Sequence, residues 1–145
     1  MNPSSVKRPV TLLVVEDDEV DLMAIQRGLR QHKVANDVVF AKDGVEALQI
    51  LRGEGGRVAL PAPYIILLDL NMPRMNGFEF LQAVRQDEAL RSAIIFVLTT
   101  SKSDEDRAKA YSANVAGFIV KADAGRSFLG AVEMLDHYWR IVELP

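Results

Sequence analysis

Five short runs dominated by apolar residues, each followed by a stretch of helical spacing, restrict what this chain can fold into. Leu12–Val15, Asp37–Ala41, Tyr64–Leu68, Ile94–Leu98 and Gly117–Val120 each read as a strand. Four of them are nearly continuous rather than alternating, the pattern of strands covered on both faces. Between them, Leu22, Ile25 and Leu29 recur at helical spacing, as do Val45, Leu48 and Leu51, with Asp43 or a neighbour near the cap. Phe78, Leu81 and Val84 mark a third helix just after the turn at Asn76-Gly77. Ser103 to Ser112 is a polar fourth, opening on Ser103-Asp104-Glu105-Asp106, where a helix dipole favours negative charge. Phe128, Val132, Leu135 and Trp139 mark the last helix. Strand then helix, five times over, predicts an α/β fold: a parallel sheet with right-handed crossovers and helices on both faces. Such a sheet carries its functional crevice at the carboxyl ends of its strands.

Length allows one domain with a full core and leaves no room for two: 145 residues. Residues 10–145 are expected to form it, after a flexible N-terminal segment, Met1–Pro9. That segment is polar and carries two positive charges without an apolar core, so it does not read as a signal peptide. No apolar run approaches a membrane span, and a cytoplasmic protein is expected. The net charge is −3, from 20 acidic and 17 basic residues, which does not favour a nucleic-acid partner. With no cysteine, disulfides, thiolate metal sites and cysteine nucleophiles are excluded. Gly53 to Pro63, rich in Gly and Pro, reads as a long loop before the third strand.

The strand ends are chemically coherent. The first ends in Glu16-Asp17-Asp18 and the third in Asp69, followed by Leu70-Asn71-Met72-Pro73. The fourth ends in Thr99-Thr100-Ser101 and the fifth in Lys121. Carboxylates gathered at one sheet edge repel one another, and a divalent cation is the simplest relief. Oxygen donors without His or Cys point to Mg²⁺ or a similar hard ion. A metal-bound carboxylate beside a lysine and a hydroxyl outlines phosphoryl transfer. Asp69 would be the nucleophile, Lys121 would neutralise phosphoryl charge, and the Thr99 hydroxyl would donate a hydrogen bond.

In this order and on these strand ends, the chain resembles the receiver domains of two-component response regulators over residues 10 to 142. Leu13-Val14-Val15-Glu16-Asp17 resembles the acidic end of the first receiver strand. Leu68-Asp69-Leu70-Asn71-Met72-Pro73 with Asn76-Gly77 resembles the phospho-acceptor loop. Leu98-Thr99-Thr100 resembles the switch hydroxyl, and Gly117-Phe118-Ile119-Val120-Lys121 the aromatic switch and lysine. The resemblance implies a flavodoxin-like (βα)5 doubly wound sandwich with strand order 2-1-3-4-5. It implies Mg²⁺ held by Asp17 directly, by Glu16 largely through water, by Asp69, and by the Asn71 backbone carbonyl. It implies that a histidine kinase or phosphotransfer protein phosphorylates Asp69, that Thr99 swings toward the phosphoryl group, and that Phe118 rotates inward in step. The face built from the fourth helix, fifth strand and fifth helix would then change for partner binding or dimerisation.

Two positions depart from the common pattern. Ala122 follows Lys121 where many receivers have proline, and Glu16 stands where aspartate is commoner. The chain ends soon after the last helix, and no output domain is expected. The Gly53–Pro63 loop, Leu98-Thr99-Thr100-Ser101 and the Tyr138-Trp139 ending resemble stand-alone regulators paired with bacterial phytochromes. That makes a bacteriophytochrome a candidate kinase, and the last helix, with Tyr138 and Trp139, a candidate homodimer contact.

Blander readings stand beside these. Asp18 reads as the cap of the first helix, and Asp17 taken alone fits a cap better than a ligand. Asp69 taken alone fits a turn. His32 and His137 have no companion ligand and read as surface residues. An aspartyl-phosphate phosphohydrolase would need an acid two residues after the nucleophile, where Asn71 has no proton to give. A flavin carrier would need a phosphate-cradling loop where Glu16-Asp17-Asp18-Glu19 stands. A receiver-like module that binds partners without phosphorylation is the remaining alternative.

Overall fold

The computed structural model describes residues 10–31, 36–70, 75–99 and 114–120. Five strands form one parallel sheet: β1 Thr11–Val15, β2 Val38–Ala41, β3 Tyr64–Asp69, β4 Ile94–Thr99 and β5 Gly117–Val120, in the order β2-β1-β3-β4-β5. Three helices lie within the described residues: α1 Glu19–Gln31, α2 Gly44–Arg52 and α3 Gly77–Gln86. The expected fold and strand order hold. The expected helices at Ser103–Ser112 and around Phe128–Trp139, with Tyr138, fall outside the described residues, as do Met1–Pro9, His32 and His137.

Alternation along the central strands explains their continuous apolar sequence. Leu13, Val15, Ile66, Leu68, Ile95 and Val97 point to one face, where they pack with Ala47, Leu51, Phe80 and Leu81 from α2 and α3. Leu12, Val14, Ile65, Leu67, Phe96 and Leu98 point to the other, where Ile25 and Leu29 of α1 cover them. Each of these strand residues thus has an apolar neighbour whichever way it faces, and the partly exposed Thr11 and Tyr64 lie at the strand starts. β2 lies at the sheet edge, and Val38, Val39 and Phe40 are only half-buried.

The helix faces are broader than the simple spacing suggests. In α3 the fully buried aromatic is Phe80, while Phe78 is half-buried, so Phe78 marks one margin of the face. In α2 Ala47 and Ile50 join Leu48 and Leu51 in the core, whereas Val45 sits at the margin. The chain from Gly53 to Pro63 is a loop, held to α2 by the Leu60 N–H on the Ile50 carbonyl (3.0 Å).

Opposite the acidic strand ends, one arginine ties three elements together. The Arg85 guanidinium donates to the carbonyls of Arg91 (2.8 Å), Ala93 (2.8 Å) and Asn114 (3.0 Å). It therefore joins the last turn of α3 to the segments leading into β4 and β5, and partial burial pushes its pKa below the usual arginine value. Nearby, Arg52 Nε donates to Asp87 Oδ2 (3.0 Å), linking the end of α2 to the turn after α3.

Candidate functional site

Strand register brings the acids together before any side-chain detail matters. Leu12 is paired with Ile65 and Val14 with Leu67, and all four face α1. Continuing the alternation by one step sets Glu16 and Asp69 side by side on that same face. The Glu16 N–H extends the ladder on the other side by donating to the Ala41 carbonyl (2.9 Å). One carboxylate oxygen each from Glu16, Asp17 and Asp69 lies within 4.8 Å of the others. Glu16 is 2% exposed and Asp69 5% exposed, whereas Asp17 is open to solvent. Two buried carboxylates beside an exposed third make a niche open on one side.

The spacing suits a small hard cation. Two oxygens bound to one Mg²⁺ at about 2.1 Å stand at most about 4.2 Å apart, so near-ligand distances already exist and small side-chain rotations close them. The donor set is all oxygen, as such an ion requires. Local chemistry separates the ligand candidates from the cap. Asp18 Oδ1 accepts the N–H groups of Val20 (2.8 Å) and Asp21 (3.0 Å), so Asp18 is the cap of α1. Its own N–H donates to Glu16 Oε1 (3.1 Å), which steadies the Glu16 carboxylate. One Asp17 carboxylate oxygen lies within reach of those of Glu16 and Asp69.

Described residues on either side of 71–74 are joined by a hydrogen bond. The Gly77 N–H donates to the Leu70 carbonyl (2.9 Å), and α3 starts in a capping box between Asn76 and Glu79. In sequence Asn76-Gly77 signals only a turn. The structure adds that a Cβ at Gly77 would lie 2.5 Å from Leu70 Cα and 2.8 Å from the Asp69 carbonyl oxygen. Only glycine lets the first turn of α3 sit directly behind Asp69.

The remaining expected residues are placed in part. Thr99 ends β4, one residue beyond Leu98, the register partner of Asp69. Phe118 lies in β5 opposite Val97, and Val120 opposite Thr99. Lys121 and Asn71 fall outside the described residues, as do Thr100, Ser101 and Ala122.

A family model for the response regulator receiver domain matches residues 12–133. The chain belongs to this family. Among sequence relatives of this receiver domain is Response regulator Rcp1 of Synechocystis, 30% identical over 138 residues covering 94% of both chains. Another is the probable methanogenesis regulatory protein FilR2 of Methanothrix harundinacea, 36% identical over 132 residues, 90% of this chain and 84% of the relative. The phosphorylated cyanobacterial phytochrome response regulator RcpA is similar in structure, with a TM-score of 0.84 and 32% identity, covering 95% of this chain and 99% of its own. The Mn(2+)-bound form of response regulator Rcp1 superposes with a TM-score of 0.81 over 94% of this chain and 99% of its own, at 30% identity. The receiver domain is thus similar to phytochrome-associated regulators. Among its described residues no helix is long and apolar enough to cross a membrane.

Proposed function

We propose that this receiver domain accepts a phosphoryl group on Asp69 from a partner histidine kinase and signals by the surface change that follows. The observation that carries this reading is the gathering of Glu16, Asp17 and Asp69 at the tips of two adjacent central strands, with Glu16 and Asp69 buried. Mg²⁺ would be held by Asp17 and Asp69, by Glu16 through water, and by the Asn71 carbonyl, and would supply positive charge opposite the phosphoryl oxygens. An Asp69 carboxylate oxygen attacks phosphorus, the new O–P bond forms as the N–P bond of a phosphohistidine breaks, and the imidazole leaves with the electron pair and takes up a proton. The buried walls of the niche hold Asp69 still and exclude water around it. Lys121 balances the added charge, Thr99 donates to a phosphoryl oxygen, and Phe118 follows inward.

Asn71, two residues after Asp69, has no proton to donate to a leaving group, so the domain holds the phosphoryl group as a signal instead of turning over small esters. The likeness to RcpA and Rcp1 favours a phytochrome as the kinase, with a cytoplasmic single-domain regulator acting through its surface or through dimerisation by its last helix, and without nucleic acid. Intact-mass spectrometry after incubation with Mg²⁺ and acetyl phosphate tests the reading. One phosphoryl adduct that requires Mg²⁺ and is missing in Asp69→Ala is the expected result. A folded protein that takes up no phosphoryl group under any condition would leave the binding-only module as the function.

A further inference from the structure

Register between β1 and β3 sets Glu16 beside Asp69, and packing around the strand tips refines the distance between their carboxylates. Met75 stands two residues before Gly77, whose N–H donates to the Leu70 carbonyl beside Asp69. Met75 is partly buried against the core cluster that contains Phe80 and Leu81. Its seat is Gly44, the first residue of α2. A Cβ at Gly44 would stand 2.8 Å from Met75 Cγ, 2.9 Å from Sδ and 3.0 Å from Cβ. The start of α2 is in turn tied to the tip of β1. Asp43 caps the helix from a buried position, accepting the Glu46 N–H (2.8 Å), and two residues earlier the Ala41 carbonyl accepts the Glu16 N–H (2.9 Å).

We infer that Gly44 is a positioning residue for the acid cluster: its missing side chain seats Met75 and thereby refines the spacing that strand register gives Asp69 and the Glu16–Asp17 pair. The inference rests on the metal-site reading above. Rotation about the first side-chain bond of Met75 would move Cγ and Sδ out of the way of an added methyl group. It would leave Met75 Cβ, which the backbone fixes, at 3.0 Å. The acceptor segment or the helix must then shift by a few tenths of an ångström. A packed core absorbs such a shift, but Mg²⁺ demands near-octahedral oxygens at about 2.0–2.1 Å and does not. Loss of Mg²⁺ affinity out of proportion to loss of stability is therefore the signature.

Calorimetric titration of Mg²⁺ into wild type, Gly44→Ala, Met75→Ala, Met75→Gly and the Gly44→Ala/Met75→Gly double variant, with thermal melts of each metal-free protein, tests this. Gly44→Ala should weaken Mg²⁺ about fivefold or more, and Met75→Gly in that background, which removes the fixed Cβ, should recover at least half of the loss on a logarithmic scale. A purely structural effect would move the melt and leave Mg²⁺ affinity within about twofold, which overturns the inference. If Gly44→Ala does not fold, Met75→Ala alone decides: weaker binding in a folded protein supports the pin, and binding within about twofold of wild type removes it. Wild type that binds no Mg²⁺ refutes the metal-site reading itself, and the inference falls with it; tight binding by wild type with unchanged variants refutes the inference alone.

Discussion

Gly77→Ala reverses the usual expectation for a glycine in a helix. Its φ is not in the left-handed region, so alanine would suit the backbone. Helix propensity and the entropy of the unfolded chain together favour alanine by about 0.5–1 kcal/mol. Against that stands the close approach of α3 to the strand. The new methyl group would meet Leu70 Cα at 2.5 Å and the Asp69 carbonyl oxygen at 2.8 Å, both backbone atoms with no rotamer to change. Ordinary carbon contacts begin near 3.5 Å, so the helix start must back away by about 1 Å. Overpacking of this kind costs about 1–3 kcal/mol, and the backbone on both sides places it in the upper half. The net expectation is destabilisation by about 1–2 kcal/mol, a fall in Tm of about 4–8 °C for a chain of this size. Thermal and urea unfolding of the metal-free protein measure it. A Tm equal to or above wild type would show that propensity outweighs the close approach, and would refute the claim that glycine is required behind Asp69.

Two further perturbations probe the far side of the sheet. Arg85→Met keeps the aliphatic stem and removes the donors to Arg91, Ala93 and Asn114; at about 0.5–1.5 kcal/mol for each bond, urea unfolding should show a loss of about 2–4 kcal/mol, and a loss below about 1 kcal/mol would discount the clamp. The Asp87 carboxyl is held below its usual range first by the Ala89 N–H and then by the Arg52 side chain. A depressed native pKa means that its contribution is present above about pH 4, where the unfolded carboxyl is also ionised, and is lost as pH falls through the native value. Melts from about pH 6 down to about pH 3 should therefore fall less steeply for Asp87→Asn than for wild type, and parallel curves would contradict the assignment.

The parts of this molecule that its sequence reveals are those built on repetition or on charge. Apolar continuity is plain in Ile65–Leu68 and Ile95–Leu98, because both faces of a central strand demand apolar residues. Glu16, Asp17 and Asp69 stand out because acids directly after apolar runs have few structural uses. Arg85 carries no such signal. Its partners are carbonyls, which every residue possesses, so no pattern of side chains announces a clamp. The seat of Met75 on Gly44 is equally silent, since a contact made by an absent side chain leaves only a glycine after a helix cap. Phe78 misleads slightly: spacing from Phe78 to Leu81 picks the edge of the α3 face, while Phe80 holds its centre. Asn71, in contrast, owes its proposed role as a ligand wholly to family resemblance, whereas Lys121 is read from its place after the fifth apolar run.

β1 and β3 are each bonded to a strand on both sides. Their backbone amides cannot be released by fraying an edge; both neighbouring ladders must open first. Glu16 and Asp69 extend directly from these two strands, so their carboxylates ride on what should be the slowest-exchanging amides of the domain. The juxtaposition of Glu16 and Asp69 is then lost only when the sheet itself comes apart, whereas packing around the strand tips adjusts how closely their carboxylates stand.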